Sequence, residues 1–364
     1  PPPIYTLFPY TTLFRSDGLF TLNDVESITS IGDSTKRDDP TSIGKFGIGF
    51  KAVFAYTNTP EIHSGEFHFR IHDLVVPETE GVTRQCLSER ETRFIFPFDN
   101  PKKPSKQAVA EIEQGLRALG DNTLLFLSHI RTVEYLLPDG TLGTLERIDH
   151  DGGHIEIRAR HPGGKDTVTH WLRFQKEDVE VIDEEGLAKV CRVAIAYSLA
   201  EHDDNEESNS SWKIVPLDHG QVSIYFPAEK ETSNLRFHIH APFASTVARD
   251  SVRDCKANRD FIKAIAELAA TSLEKLRDLE LLNVLSYNAL PLRAQDFQEG
   301  SLYRTVYDEV RNVLKAKALL PRHKGGYVAA SQAKLARGAQ LAEIFSPAQL
   351  GKLFDQEADR KSVV

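Results

Sequence analysis

The chain has 364 residues, of which 40% are hydrophobic, and this length and composition fit two or three globular domains that each bury a core. No apolar run approaches the roughly 20 residues that cross a bilayer, and the formal net charge of -9 disfavours a broad nucleic-acid-binding surface. The three cysteines, Cys86, Cys191 and Cys255, lie far apart, which argues against a disulfide framework or zinc site and favours a reducing, cytoplasmic compartment.

Both ends of the chain look foreign to the rest. Residues 6–16 resemble the conceptual translation of a DNA-sequencing adapter, and residues 359–364 resemble the same adapter read from the opposite strand. Methionine is absent throughout. We therefore expect residues 1–16 and 359–364 to be adapter-derived and the remainder to be an internal fragment of a longer protein, and we leave the ends out of the predicted fold.

A glycine-rich motif follows a short helix and a polar loop. The spacing of Val25 and Ile28 indicates the helix. Three glycines then open an apolar, helix-forming run: Gly44, Gly47 and Gly49. Because glycine has no β-carbon, such a loop can bring its N–H groups close to an anion at a helix N-terminus, which favours phosphate. Glycine-rich loops also serve as plain turns, so the motif indicates a nucleotide only together with its neighbours.

The next segments predict an α/β domain. Residues 67–71 and residues 94–98 alternate apolar with polar side chains, as half-buried strands do. Apolar residues at three- and four-residue steps predict a helix over 109–119, and Gly120 is placed to end it. We expect a strand over residues 123–127.

The order of these motifs resembles the ATPase superfamily of gyrase, heat-shock ninety, histidine kinases and MutL. That superfamily has an Asp-Gly box, a mobile lid, a second glycine box and a distal Thr on a strand. Here the corresponding segments are Asp17 with Gly18, residues 31–36, residues 43–54 and Thr123. The amino-acid sequences of residues 31–36 and 43–54 are most similar to the sacsin-like branch. The resemblance implies an α+β chain that begins with a two-layer α/β sandwich of the Bergerat type, N-terminally truncated, that binds ATP with Mg²⁺.

The resemblance also assigns residues to the adenine. Asp17 would accept a hydrogen bond from the adenine amino group, and Thr123 would donate its hydroxyl to the same network. The family pattern is Asp-x-Gly-x-Gly, whereas Asp17 and Gly18 are followed directly by Leu19 and Phe20. The alternatives are an ordinary turn residue at Asp17 and a strand-favouring side chain at Thr123.

The phosphates would contact the lid and the glycine box. A lid must supply hydroxyls and a cation while remaining able to open, and Lys36 is our candidate for that cation. The predicted lid ligands are Gly32, Ser34, Thr35 and Lys36. The predicted ligands of the glycine box are Gly44, Lys45, Phe46, Gly47, Ile48, Gly49 and Phe50. For Lys45 and Lys51 the alternative is exposure to water, and for the three apolar residues it is packing, with only backbone N–H groups lining the site.

We place the ATP-binding domain at 17–145 and a middle domain at 146–290. Within the second domain we expect strands at 153–160 and 168–174 and a solvated acidic loop at 201–211. A hairpin-like pair, residues 221–227 and 235–241, precedes a long helix with an apolar stripe from Phe261 to Leu276, and Asn258 or Asp260 is available to cap it. This block resembles the middle domain that follows the ATPase in sacsin-like and heat-shock ninety proteins.

One catalytic candidate lies in the second domain. The resemblance to heat-shock ninety implies that Arg249 reaches the γ-phosphate, where a guanidinium suits oxygens that gain charge. The alternative is a plain Arg–Asp pair. The family's catalytic Glu and its Mg²⁺-binding Asn are expected upstream of Asp17, beyond the native part of the chain. The histidines of the predicted strands form no ligand-like cluster, so we expect no metal site among them. They are His63, His68, His72, His238 and His240.

Residues 291–358 are expected to form a partial, mostly helical C-terminal module, with a helix over 303–314 and a turn and strand at 325–329. Three kinds of function follow from the resemblance. The first is an ATP-driven conformational machine of the sacsin or chaperone kind, with a protein client or partner subunit. The second is an ATP-binding subunit of a prokaryotic defence or DNA-processing system, and the third is a degenerate nucleotide-binding scaffold. Neither a membrane nor a nucleic-acid partner is indicated.

Overall fold

The computed structural model describes residues 4–8, 11–16, 18–30, 50–82, 90–182, 186–202, 211–224, 226–246, 250–322 and 325–333. The chain forms two compact units, one up to His170 and one from Trp171. Residue 146, the expected start of the middle domain, lies inside a strand of the first unit. Among the residues that the structure describes, no helix is both long and apolar enough to cross a membrane.

The first unit is built on a sheet with the strand order β9-β8-β7-β1-β2-β6-β3-β4-β5. Its strands are β1 Ile4–Phe8, β2 Thr11–Ser16, β3 Glu61–Ser64, β4 Phe67–His72, β5 Val76–Glu78, β6 Thr92–Pro97, β7 Thr132–Leu136, β8 Leu142–Asp149 and β9 His154–Arg160. Strand β1 pairs with β7 in parallel, and β2 pairs with β6 along six residues in antiparallel register. The residues left out of the predicted fold as adapter-derived therefore form two strands of this sheet.

The strands predicted from alternation are confirmed. In β4, Phe69 and Ile71 are buried while the intervening side chains are half-buried, as the period of two requires. Strand β9 was predicted within one residue of its observed start. The strand predicted over residues 123–127 is wrong, because Asp121–Leu124 is a 3-10 helix and the buried residues after it form a turn.

Two α-helices belong to the first unit, α1 Leu22–Ile28 and α2 Ser105–Arg117. Helix α2 ends three residues before Gly120, which therefore does not terminate it. The run after the glycine motif is helical as expected, but it is a six-residue 3-10 helix, Phe50–Ala55. Together with α1, this segment packs on apolar side chains of β3, β4 and β6. Helical segments thus cover a sheet, and the α+β class is confirmed.

The second unit has the strand order β14-β13-β15-β11-β10, with β12 paired to β11 and a separate hairpin β16-β17. The strands are β10 Thr167–Ile182, in which the division between the units falls, β11 Ala188–Glu201, β12 Trp212–Val215, β13 Val222–Ile224, β14 Phe226–Pro227, β15 His238–His240, β16 Leu320–Pro321 and β17 Tyr327–Val328. The hairpin predicted between 221–227 and 235–241 is wrong, because β13 pairs with β15 in parallel. The antiparallel partner of β13 is β14, its immediate successor.

Helices α3 Lys256–Asp278 and α4 Arg304–Ala316 form the core of the second unit together with its strands. The predicted apolar stripe of α3 is buried along its whole length, from Phe261 at 4% exposure to Leu276 at 0%. Burial of such a continuous stripe, at about 1.5–3 kcal/mol for each large side chain, is what holds a long helix in place. The predicted cap is wrong, because Cys255 is the N-cap residue and makes no side-chain capping bond. The remaining 3-10 helices are Asp151–Gly153, Ser286–Ala289 and Ala294–Asp296.

Candidate nucleotide site

Most of the predicted ligand residues lie outside the described residues. These are Asp17, Gly32, Ser34, Thr35, Lys36, Gly44, Lys45, Phe46, Gly47, Ile48 and Gly49, and in the second unit Arg249. Gly18, Phe50 and Thr123 are described. Residues 18–30 and 50–82, which stand before and after the span that holds the lid and the glycine box, are described as well, and so are the residues on either side of 247–249.

The segment after Asp17 is held by two buried hydroxyl groups. The Thr92 hydroxyl donates to the carbonyl oxygen of Gly18 at 2.5 Å, and the Phe20 N–H donates to Ser64 Oγ at 2.8 Å. The two hydroxyl oxygens lie 2.5 Å apart. Strand register explains the arrangement, since Thr92 in β6 is opposite both Ser64 in β3 and Ser16 in β2. The chain therefore leaves β2 beside Thr92 and passes directly over it.

Helix α1 begins immediately after this contact and leads to the predicted lid. Thr21 and Asp24 form a capping box, in which the Thr21 side chain accepts from the Asp24 N–H and the Asp24 carboxylate accepts from the Thr21 N–H. Such a box satisfies two N–H groups that the first turn leaves without partners. Val25 and Ile28 then turn inward onto Ile62 and its neighbours in the sheet.

The residues after the glycine motif pack on the same cluster. The ring of Phe50 lies 6.3 Å from that of Phe54, 6.1 Å from Phe94 and 6.2 Å from Phe96, measured between ring centroids. The Phe50 side chain is thus a packing element, as the alternative reading of this residue held. The glycine motif ends where this aromatic cluster begins.

Lys51 ties the two ends of the motif region together. Its ammonium group donates to the carbonyl oxygen of Ile28, at the end of α1, at 2.6 Å, and to that of Leu74, after β4, at 2.5 Å. Partial burial lowers the pKa of the Lys51 ammonium. The described residues on either side of 31–49 are therefore joined by the bond from Lys51 to Ile28, and the Lys51 ammonium has two protein acceptors rather than the phosphate considered for it.

Thr123 does not occupy the strand position that the resemblance calls for. It lies in the 3-10 helix Asp121–Leu124, where its N–H donates to the carbonyl oxygen of Gly120. Thr92 does lie on a strand, is 1% exposed, and contacts the Asp17–Gly18 segment through Gly18. Sequence reasoning missed Thr92. In the sequence, Thr92 stands just before the alternating aromatic residues 94–98, and this position was the signal that could have identified it.

The segment around Arg249 is fixed from both sides in the second unit. Asn258 is fully buried; its side-chain carbonyl accepts from the Ala244 N–H at 2.8 Å, and its amide donates to the carbonyl oxygens of Ala244 and Arg253, each at 2.7 Å. Ser245 and Val252 form an antiparallel bridge between these points. The expected helix cap at Asn258 is instead a clamp on the base of the loop that carries Arg249.

The histidines behave as strand residues, as expected. Burial lowers the pKa of His238 to about 4 and that of His240 to about 3, so both are neutral at physiological pH. In the described part of the chain no group of three or more His, Cys, Asp or Glu side chains could hold a metal ion. The described cysteines, Cys191 and Cys255, form no disulfide, and Cys86 lies outside the described residues.

The part of the chain that carries these contacts resembles a known domain family. Residues 11–97 match the Sacsin domain family, so the predicted sacsin-like resemblance is confirmed for this region. The matched range contains Thr92, Ser64 and both ends of the motif region, and it excludes Thr123.

Two named proteins are similar to part of the chain. Protein NO VEIN of Arabidopsis thaliana is 38% identical over an alignment of 153 residues, which covers 34% of this chain and 6% of that protein. Sacsin of Homo sapiens is 29% identical over an alignment of 170 residues, which covers 35% of this chain and 4% of that protein. The chain thus corresponds to a small fraction of the length of either relative.

Solved structures were compared as well. The N-terminal domain of a DNA repair protein superposes with a TM-score of 0.39 at 10% identity, covering 76% of this chain and 89% of that chain. The B-subunit of DNA gyrase from Myxococcus xanthus superposes with a TM-score of 0.31 at 10% identity, covering 79% and 85%. Similarity at this level carries no functional conclusion.

Proposed function

We propose that the first unit binds ATP together with Mg²⁺, and that the full-length protein uses ATP to drive closure of a lid and a conformational change. The observation that carries the proposal is the convergence of three motif flanks on one cluster. Phe20 follows the Asp-Gly box, Ile28 precedes the lid and Phe50 follows the glycine box, and all three pack with Ile62, Phe69 and Ile71. Segments far apart in sequence thus meet at one face of the sheet, inside the region that matches the Sacsin domain family.

We assign the adenine end to Asp17 and Thr92. The Asp17 carboxylate can accept from the exocyclic amino group of adenine. The Thr92 hydroxyl, on a strand, bonds to Gly18, the residue next to Asp17. Thr92 replaces Thr123 in this role. A site that hydrogen-bonds the base can reject analogues that lack the matching group, since its own buried polar atoms would then stay unpaired.

We assign the phosphate end to residues 31–49, whose two ends Lys51 joins. Lys36 and the backbone N–H groups of Gly44, Gly47 and Gly49 are the proposed phosphate ligands, because backbone amides and one lysine cation suit a triphosphate. Arg249 remains a predicted γ-phosphate ligand. Its role is tested separately, by ATP affinity of the Arg249→Ala variant.

Isothermal titration of the 364-residue chain with ATP and Mg²⁺ tests the proposal. We expect saturable binding in the wild type and a loss of about tenfold in affinity in Thr92→Val, which preserves shape but removes the hydroxyl and its bonds to Gly18 and Ser64. Thr123→Val is the matched control and should bind as the wild type does. Absence of heat at millimolar ATP would contradict the proposal and support a scaffold with a degenerate site, and a larger effect of Thr123→Val would return the adenine role to that residue.

A further inference from the structure

Three histidine rings of the first unit lie against one another where β9 pairs with β10. The rings of His150 and His154 are stacked, with centroids 4.8 Å apart and planes at 22°, and the ring of His170 lies 5.2 Å from that of His154. His154 is therefore the middle ring. Its Nε2 atom lies 3.1 Å from Nδ1 of His170, so a hydrogen bond joins the first residue of β9 to β10.

The turn between β8 and β9 places the first two rings side by side. Gly152 and Gly153 have φ of 71° and 85°, a region that favours glycine, and they reverse the chain within the 3-10 turn Asp151–Gly153. The His150 N–H donates to the carbonyl oxygen of His154 at 2.9 Å, which closes the turn. The backbone thus brings these rings together whatever charge they carry.

The bond between His154 and His170 limits how many protons this pair can carry. A hydrogen bond between two ring nitrogens needs one N–H and one lone pair, which two neutral rings, or one neutral and one charged ring, can supply. When both rings are charged, each of the two facing atoms carries a proton. The hydrogen bond is then lost, and two like charges face each other.

One carboxylate lies beside these rings, and it has a second partner. Glu156 Oε2 lies 3.0 Å from Nε2 of His150, and Glu156 Oε1 accepts from Arg158 Nε at 2.6 Å. A proton on His150 is therefore stabilised by Glu156, whereas a proton on His154 lies between two further rings. Partial burial lowers the pKa of His154, His150 and His170 lower it further, and Glu156 opposes them. Further charged residues at the turn are Asp151 and Asp149, the latter paired with Arg131 and Arg147.

We propose that His150, His154 and His170 form a pH-sensitive switch that holds β9 and β10 together at neutral pH and releases this pairing on acidification. In the released form each ring can turn to water and take up a proton, so acid favours that form. The pairing concerned lies near the beginning of β10, the strand that continues from the first unit into the second. The switch does not depend on nucleotide binding, so failure of the proposed function would leave it standing.

The direction of the pH dependence follows from the middle ring. The pKa of His154 in the folded chain lies below its ordinary value, so the unfolded or released form binds more protons. The contact is therefore fully stable above about pH 6.5 and weakens as the pH falls below that value.

Hydrogen exchange followed by mass spectrometry tests the switch in the 364-residue chain at about pH 7.5 and about pH 5.5, with rates corrected for the intrinsic effect of pH on exchange. Uptake of one proton on release, about one unit below the ordinary pKa, should lower the protection of peptides from residues 150–158 and 167–172 about fivefold. In His170→Asn the side-chain oxygen replaces Nδ1 and can accept from a charged His154, so the loss should be less than about twofold.

His161→Asn is the matched control. Nδ1 of His161 also makes a hydrogen bond in the first unit, at 2.9 Å, but its partner is the Tyr135 hydroxyl and not another histidine. This variant should keep the wild-type response to pH. Addition of EDTA to the wild type at about pH 7.5 should leave exchange unchanged, because the switch responds to protons and not to a metal ion.

Several results would overturn the proposal. These are unchanged protection of the two peptides in the wild type on acidification, an equal loss in His170→Asn, and faster exchange on addition of EDTA. If His170→Asn does not fold, NMR of the histidine rings in the wild type still decides. The His154 ring signal should titrate with a midpoint below about 6.5, and a midpoint at or above that value would contradict the switch.

Discussion

Replacement of Lys51 by Met separates a structural clamp from a phosphate ligand. The ammonium group donates to the carbonyl oxygens of Ile28 and Leu74, and Met keeps an unbranched apolar side chain in its place. Hydrogen bonds to charged groups contribute about 1.5–3 kcal/mol each. The burial that lowers the pKa of the Lys51 ammonium offsets part of this stabilisation, and water can replace the ammonium at the carbonyl oxygen of the exposed Leu74. We therefore expect the substitution to lower the local stability by about 2 kcal/mol.

Hydrogen exchange followed by mass spectrometry is the suitable assay, because both tryptophans, Trp171 and Trp212, lie in the second unit. A loss of about 2 kcal/mol corresponds to roughly 30-fold faster exchange in peptides from residues 18–30 and 50–72. Tryptophan fluorescence should report an unchanged second unit. Lys102→Met, at an exposed turn, is the control and should leave exchange unaltered.

The reasoning is refuted if exchange in Lys51→Met stays at the wild-type rate while ATP affinity falls tenfold or more. That result would mean that the ammonium group leaves its two carbonyl partners when nucleotide binds. Lys51 would then be a phosphate ligand after all.

Two further predictions concern the second unit. Asn258→Ala should lower the free energy of unfolding by about 3 kcal/mol, since it removes three hydrogen bonds of a fully buried side chain and leaves the Ala244 N–H without its partner. Tryptophan fluorescence in urea measures this free energy. A loss below about 1 kcal/mol would contradict the structural role given to Asn258. His238 has a folded-state pKa near 4, below its unfolded value, so stability should fall as pH drops from about 6.5 toward 4, by about 1.4 kcal/mol per pH unit for this residue. In His238→Asn the side chain can still accept from the Gln221 N–H, but the proton that His238 takes up on unfolding is lost. The slope of the unfolding free energy against pH should therefore decrease by the contribution of one proton. An unchanged slope would show that His238 does not take up a proton on unfolding.

Elements with a clear period were predictable from the sequence. Helix α3 and strand β4 were placed correctly because a continuous apolar stripe and a strict alternation each match one backbone geometry. Residues 123–127 were misassigned because a short buried apolar run has no period that separates strand from turn. Length and hydrophobicity alone do not settle such a segment.

Pairing direction and register were not predictable. Alternation in residues 221–227 and 235–241 shows which side chains are buried, but a parallel and an antiparallel partner require the same pattern. Strand β14 follows β13 directly and pairs with one edge of it in antiparallel direction. The other edge of β13 is then open to β15, which pairs with it in parallel. Thr92 was missed for the same reason, since its value depends on a register with Ser64 and Ser16 that no local pattern encodes.

The bond between Lys51 and the end of α1 also has an evolutionary consequence. When both ends of a segment are secured to the same support, doubling the number of residues between them costs only about 0.6 kcal/mol of closure entropy. Insertions and deletions within residues 31–49 should therefore be tolerated in homologues as long as the Lys51 bond to Ile28 is kept. Selection can then change the length and sequence of this segment while the sheet of the first unit stays the same.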